Sequence, residues 1–247
     1  MGRRLLLLVA LVLAFAFAGC GGGGSVEGEA ELWVTRDRGS EVLLTATVPA
    51  GLTVLQALKR EADVKTRYGG RFVQAIEGVE GSLAAQRDWF YFVNGIEPDV
   101  GAAEVTLRPG DVAWWDFRSW EGEAEQQLAV VGAFPEPFLH GWAGTRRPGE
   151  VRAPAALTEE ARALEALLGA GDVAGGEPNV LALEIDGSAE GATLTARRGS
   201  ANDSPVTFTL AGSPDAVRAA AGALARDPAI VRYRYEARFD EEGRVLG

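Results

Sequence analysis

The stretch Asp88 to Trp120 decides the reading of this chain: D-W-F-Y-F-V-N-G (88–95), I-E-P-D-V-G-A-A-E-V-T-L-R-P-G-D (96–111) and V-A-W-W-D-F-R-S-W (112–120). Trp89, Trp114, Trp115 and Trp120 fall within it, and Tyr91 plays the same part. Trp89 to Val93 reads as a strand ended by Asn94-Gly95, the dipeptide that best tolerates the positive φ angles of a tight turn. Alternation puts Trp89, Tyr91 and Val93 on one face and Phe90 and Phe92 on the other. Both faces are aromatic. Val112 to Phe117 repeats the pattern, and adjacent Trp114 and Trp115 must point to opposite faces of their strand. A sheet that is apolar on both sides needs two covers, because a large exposed aromatic face is rare unless it is used.

Working outward, Leu32 to Thr35 and Val42 to Val48 are β-rich runs joined by Asp37-Arg38-Gly39-Ser40, which predicts a hairpin. Thr53-x-x-Gln56 offers a capping box for a helix from Val54 to about Ala62, whose Val54, Leu55 and Leu58 form one apolar face. That helix can cover one side of the sheet. Phe72 to Ile76 predicts a further short strand before the aromatic stretch. Strand, strand, helix, then strands is the order of a β-grasp sheet.

Past Gln126 the composition changes. Leu128 to Phe134 is apolar, and F-P-E-P-F-L-H-G-W (134–142) cannot continue a regular ladder. Thr158, with Glu159 and Glu160 in the first turn and Gly169 as the stop, predicts a helix to Leu168. Strands are expected at Val180 to Ile185, Ala192 to Arg197 and Val206 to Leu210. Ser213-Pro214-Asp215 starts a second helix, and Ile230 to Phe239 reads as a closing strand. The fold class is α+β: a β-grasp-like N-terminal domain over residues 29–122, then a second small α+β domain over 123–247 with an antiparallel sheet and two helices. The boundary is expected between Trp120 and Leu128, where E-G-E-A-E-Q-Q lacks apolar periodicity, and the two halves are expected to fold separately.

Residues 1–20 read as a signal peptide, with Arg3-Arg4 before an apolar run from Leu5 to Ala18 that is too short to span a bilayer. Cys20, the only cysteine, follows Phe17-Ala18-Gly19, and this resembles the lipobox of bacterial lipoproteins, which implies a lipidated Cys20 and an anchor on the extracytoplasmic face of the cell membrane. Residues 21–28 form a glycine-rich tether. With 24 Lys+Arg against 35 Asp+Glu, a net charge of -11, nucleic acid is not an expected partner.

V-P-A-G-L-T-V-L-Q-A-L, T-R-Y-G-G, W-F-Y-F-V-N-G, D-V-G-A, L-R-P-G-D and W-W-D-F together resemble the family of domains similar to the C-terminal domain of transcobalamin and intrinsic factor, over about Glu29 to Glu121. In the cobalamin carriers this domain supplies one wall of the corrinoid site and a helical barrel supplies the other; this sequence holds no such barrel. The resemblance implies a corrinoid as one candidate ligand.

Catalytic machinery is hard to assemble from these residues. His140 is the only histidine, so neither a histidine zinc cluster nor a nucleophilic triad fits within the chain. Glu97 and Asp99 could form an acidic site but read more simply as a solvated loop, and general acid-base work would fall on unpaired carboxylates. No enzyme activity, cofactor or metal is expected. The candidate ligand-binding residues are Trp89, Tyr91, Asn94, Trp114, Trp115 and Asp116, with Arg146 and Arg147 as a further pair able to meet an anion. Two functions follow: a lipid-anchored binding protein that captures a small solute, such as a corrinoid, beside a membrane importer, or a surface module that docks protein or wall polymer without a small ligand.

Replacing Cys20 by alanine should release the protein or leave its precursor unprocessed. Normal acylation and membrane retention of that variant would overturn the lipidation reading.

Overall fold

The structure is a computed structural model and describes residues 26–122, 131–170, 179–185, 192–197 and 206–246. Cys20, the tether to Ser25, and residues 123–130 of the expected domain boundary lie outside the described residues. The first half begins with a hairpin of β1 (Glu29–Arg36) and β2 (Glu41–Pro49), followed by α1 (Val54–Glu61). A small sheet of β3 (Val64–Arg67), β4 (Phe72–Ile76) and β5 (Val79–Glu80) comes next, then β6 (Arg87–Val93) and β7 (Val112–Ser119). The main sheet has the order β2-β1-β7-β6. Its central pair, β1 and β7, is parallel, with Trp33 opposite Trp114 and Thr35 opposite Asp116. The outer pairs are antiparallel, which is the β-grasp order.

The capping box forms as the sequence predicts: Thr53 Oγ1 accepts from the Gln56 amide at 3.1 Å, and the Gln56 side chain accepts from the Thr53 amide at 2.8 Å. Two N–H groups at the helix start are thereby satisfied. α1 buries Val54, Leu55, Ala57 and Leu58 against one face of the sheet, where Leu32, Val34, Trp89, Val93, Trp115 and Phe117 make the core. Asn94 and Gly95 take positive φ angles of 52° and 75°. The turn they make closes Val93 on Ile96, but the chain then leaves the sheet and returns as β7 only at Val112.

The second half contains β8 (Gly149–Arg152), α2 (Thr158–Leu168), β9 (Asn179–Ile185), β10 (Ala192–Arg197), β11 (Val206–Gly212), α3 (Pro214–Arg226), β12 (Arg238–Phe239) and β13 (Val245–Leu246). Leu164 and Leu168 of α2 and Val217 and Leu224 of α3 share a core with Leu194 and Leu210 of the sheet. The sheet order is β11-β10-β9-β8. Its last pair, β8 with β9, is parallel, so this sheet is mixed rather than wholly antiparallel. Ser213 caps α3 by accepting from the Ala216 amide at 3.1 Å. Thr158 does not cap α2: its hydroxyl donates to the Ala155 carbonyl at 2.8 Å, and Leu157 holds the cap position.

The expected closing strand from Ile230 to Phe239 is not formed. Pro228–Val231 is a 3₁₀ turn, and regular pairing is confined to Arg238–Phe239. Between them Tyr233, at a φ of 66°, and Tyr235 leave their own half and reach the other face of the main sheet. Tyr235 meets Trp114 and Phe92 edge-on, with ring centroids 5.4 and 5.5 Å apart, and Tyr233 meets Trp33 at 4.9 Å. Edge-to-face contacts of this kind add to the area they bury. Trp33, Phe92, Val112, Trp114 and Tyr235 form a separate core, and the second cover of the sheet is thus the second half of the chain.

Below these rings lies a polar floor. Asp116, fully buried, accepts from the Thr35 hydroxyl at 2.6 Å and from the Arg38 and Gly39 amides at 3.1 Å each. Thr35 in turn accepts from Trp114 Nε1 at 2.8 Å. Gly39, at a φ of 81°, lies so close to the Tyr233 carbonyl that an added Cβ would overlap it.

Tyr235→Ala should cost about 3 kcal/mol or more, as removal of a buried aromatic ring does, read from chemical denaturation of the full chain. A fragment of residues 26–122 leaves Trp33, Phe92 and Trp114 uncovered and should bind a hydrophobic dye, with red-shifted tryptophan emission. A fragment that melts cooperatively with the emission of the full chain would show that the sheet does not need this cover.

Candidate functional site

β6 is an edge strand of the main sheet, so the helix-side face opens to a cleft there. Arg71, Phe72, Trp89, Tyr91, Glu97 and Trp115 are among its walls, and its volume is about 200 Å³. Alternation explains why three of the sequence-predicted residues meet here: Trp89 and Tyr91 share a face of β6, and Tyr91 is opposite Trp115 of β7. Tyr91 stacks on Trp115, with centroids 5.1 Å apart and planes 27° from parallel. Its hydroxyl donates to the Val100 carbonyl at 2.6 Å, which fixes the loop on one side of the cleft. Burial, with Glu104 and Asp99 adding to it, pushes the Tyr91 phenol well above its ordinary value, so the ring stays neutral. Trp89 donates from Nε1 to the Val79 carbonyl at 2.9 Å.

Trp115 differs from both. Its side chain is 2 % exposed, yet its Nε1 has no hydrogen-bond partner. A buried donor left unpaired costs about 1–3 kcal/mol, and such groups are rare enough in folded proteins to call for a reason. Here the indole borders the cleft, with the nitrogen itself closed to solvent. Polar margins are supplied by Arg71 and Glu97. Glu97 is held 3.5 Å from Arg118, whose guanidinium sits 4.1 Å over the Phe90 ring. The arrangement is an aromatic slot with one buried donor and charge of both signs at its edge.

Trp114, Asn94 and Asp116 are elsewhere. Trp114 is fully buried under Tyr235, and Asp116 is spent on the polar floor, so the expectation that they present a ligand face is corrected: the second half of the chain occupies that face. Asn94 is 1 % exposed and structural. Its Nδ2 donates to Asp111 and to the Gly141 carbonyl, both at 2.8 Å, while its Oδ1 accepts from the Val112 amide at 2.8 Å. Sequence reasoning missed Arg71 and Phe72. The signal was present in Gly69-Gly70, both at positive φ, which turn β3 back into β4 and carry the next two residues to the cleft.

Arg146, read as a possible anion partner, is a strut. It donates to the Phe138, Leu168 and Gly169 carbonyls at 3.0, 2.9 and 3.1 Å, which satisfies the C-terminal end of α2. No group of three or more His, Cys, Asp or Glu able to hold a metal occurs among the described residues. His140 instead bonds through Nδ1 to the carboxylate of Glu136, which also accepts from the His140 amide at 3.0 Å. Its ring lies against Gly110, where a side chain would not fit. The segment thereby joins the second half to the end of the loop before β7.

Residues 51–119 match a family described as a domain of unknown function (DUF4430). That span holds α1, β6, β7 and every wall of the aromatic cleft named above. Among solved structures, the chain is similar to a protein from Ruminococcus gnavus ATCC 29149 that is provisionally described as metal-binding, with 14% identity and a TM-score of 0.31 over 38% of this chain and 98% of that one. No curated protein matches the chain.

The hydrogen bond to Glu136 raises the pKa of His140 above its ordinary value; burial opposes this, Asp111 adds to it and Arg146 subtracts. A folded-state value above the unfolded one stabilises the fold fully below the unfolded pKa, about 6.5, and the benefit is lost as pH rises through the folded value. Melting temperature should therefore fall between about pH 6 and pH 9 more steeply for the native chain than for Glu136→Gln. Parallel curves would mean that this pair contributes nothing to the pH dependence.

Proposed function

We propose that this chain is a lipid-anchored extracytoplasmic binding protein, without catalytic activity, that holds the edge of a small planar solute in the cleft between Trp89, Tyr91 and Trp115 and delivers it to a membrane importer. The observation that carries this reading is the unpaired Nε1 of Trp115 at an aromatic cleft. A ligand that displaces the cleft wall enough to place an oxygen or nitrogen acceptor against this closed donor removes its penalty and gains stacking area at the same time. Few convergent polar groups on a mostly apolar wall is the common composition of small-molecule sites.

The anchor part of the proposal rests on the lipobox-like residues around Cys20. The resemblance to the transcobalamin C-terminal domain supports a corrinoid as the ligand class, and a cleft of about 200 Å³ has room for one edge of so large a molecule, with the rest standing outside. A second reading, a docking module for protein or wall polymer, is favoured by Tyr68 and Leu83, which are 79% and 81% exposed. Tyr68 adjoins Phe72 edge-on at 6.1 Å, so the aromatic surface continues from the cleft toward solvent.

The two readings separate on Trp115→Phe, which deletes the donor and keeps a smaller aromatic ring. The full chain in nonionic micelles is to be melted with cobalamin, cobinamide and dimethylbenzimidazole, since a bound ligand raises the transition by mass action. At least one should stabilise the native chain, and Trp115→Phe, whose smaller ring lowers the melting point of the free protein, should still weaken that ligand about tenfold relative to its own ligand-free baseline, the worth of one hydrogen bond. Absence of any shift, or equal affinity in the variant, would overturn the solute reading.

A further inference from the structure

The second face of the sheet carries another opening, at the end of β1 away from the tether. The β1–β2 turn contributes Arg38 and Ser40, and the irregular segment after the 3₁₀ turn contributes Arg232, Arg234, Tyr235 and Glu236, around an open cleft of about 760 Å³. Three guanidinium groups and one carboxylate line it. In a chain with a net charge of -11 this is a local reversal of sign, and a concave patch of one sign concentrates counter-ions of the other.

Two of the three arginines lie beside aromatic rings. Arg232 lies 5.4 Å from the centroid of Trp33, and Arg38 lies 5.4 Å from that of Tyr235. Neither Arg232 nor Arg234 has an ion pair among the described residues, whereas nearby surface arginines such as Arg36 and Arg87 pair with Glu41 and Asp37. A guanidinium stacked on an aromatic face keeps its in-plane N–H donors, which suit the paired oxygens of a carboxylate or phosphate. Asp116, the nearest buried carboxylate, is already engaged by Thr35 and the Arg38 and Gly39 amides.

We infer that this cleft, formed jointly by the β1–β2 turn and the segment 232–236, is a binding site for a soluble, multiply charged oxyanion of the phosphate-ester or polycarboxylate class. Phosphate also occurs in lipid headgroups, but if the chain is anchored as proposed above, the position favours the soluble source. β1 spans eight residues, about 26 Å at 3.3 Å per residue, and separates the cleft from Glu29, where the tether enters the fold. This site is distinct from the aromatic cleft, and neither depends on the other being occupied.

Calorimetric titration of the full chain in nonionic micelles with pyrophosphate and with citrate tests it. Binding of at least one is expected, weakening as sodium chloride is raised, with a change in tryptophan emission because Arg232 covers Trp33. Arg234→Gln and Arg232→Gln together should weaken it at least about tenfold. Arg234→Gln alone should still weaken it several-fold, so a double variant that fails to fold leaves a decisive result. Trp115→Phe should leave this affinity unchanged, which keeps the outcome separate from that of the solute cleft. Absence of binding, unchanged affinity in Arg234→Gln, or arginine-dependent binding to phosphatidylglycerol vesicles without binding of either free anion would overturn the inference.

Discussion

The constraint on which the rest of the structure depends is that a single four-stranded sheet carries aromatic side chains on both faces. Burying a tryptophan on only one side would leave its neighbour in water, because Trp114 and Trp115 point in opposite directions by the geometry of a strand. α1 meets the demand on one side with aliphatic residues. On the other side the chain sends back two tyrosines from its far end. Trp114 hands its N–H to Thr35, Thr35 hands its hydroxyl to Asp116, and Asp116 receives the amides of the β1–β2 turn, so the aromatic contact also fixes the turn against which Tyr233 rests. Packing and much of the polar satisfaction are met by the same few residues, although the buried Tyr235 hydroxyl finds no hydrogen-bond partner among the described residues.

This arrangement sorts the aromatics by what closes over them. Trp114 is sealed by protein and has its donor satisfied, whereas Trp115 is sealed almost as well and has its donor unsatisfied. Neighbours in sequence and similar in burial, they differ in whether the chain itself completes their chemistry. The incomplete one borders the cleft, and this difference, more than exposure, distinguishes a candidate binding residue from a core residue.

Local signals in the sequence were legible where the physics is local. The capping box at Thr53 and Gln56, the alternation along β6 and β7, the positive-φ turn at Asn94-Gly95 and the stop at Gly169 all follow from residues within a few positions of one another. Long-range relations were not legible in the same way. The parallel pairing of β8 with β9 leaves no periodic mark, and R-Y-R-Y-E-A-R-F (232–239) alternates as a strand would although its tyrosines are drawn off by rings on another sheet. Arg146 reads as a surface cation because its acceptors, the carbonyls at the end of α2, become neighbours only after folding. The cleft was half legible: Trp89, Tyr91 and Trp115 stood out as aromatics, while the missing partner of one indole nitrogen is a property of three-dimensional surroundings alone.

The contact between Trp33 and Tyr233 also sets an order in time. β1 is made before its parallel partner β7, some eighty positions later, and before the ring that seals Trp33, two hundred positions later. Contacts this distant along the chain are slow to form and leave apolar surface open in the meantime. A chain halted anywhere before residue 233 would carry an unsealed tryptophan face, readable by proteases and chaperones as a mark of incompleteness. Sealing that face thus requires synthesis to have passed residue 233.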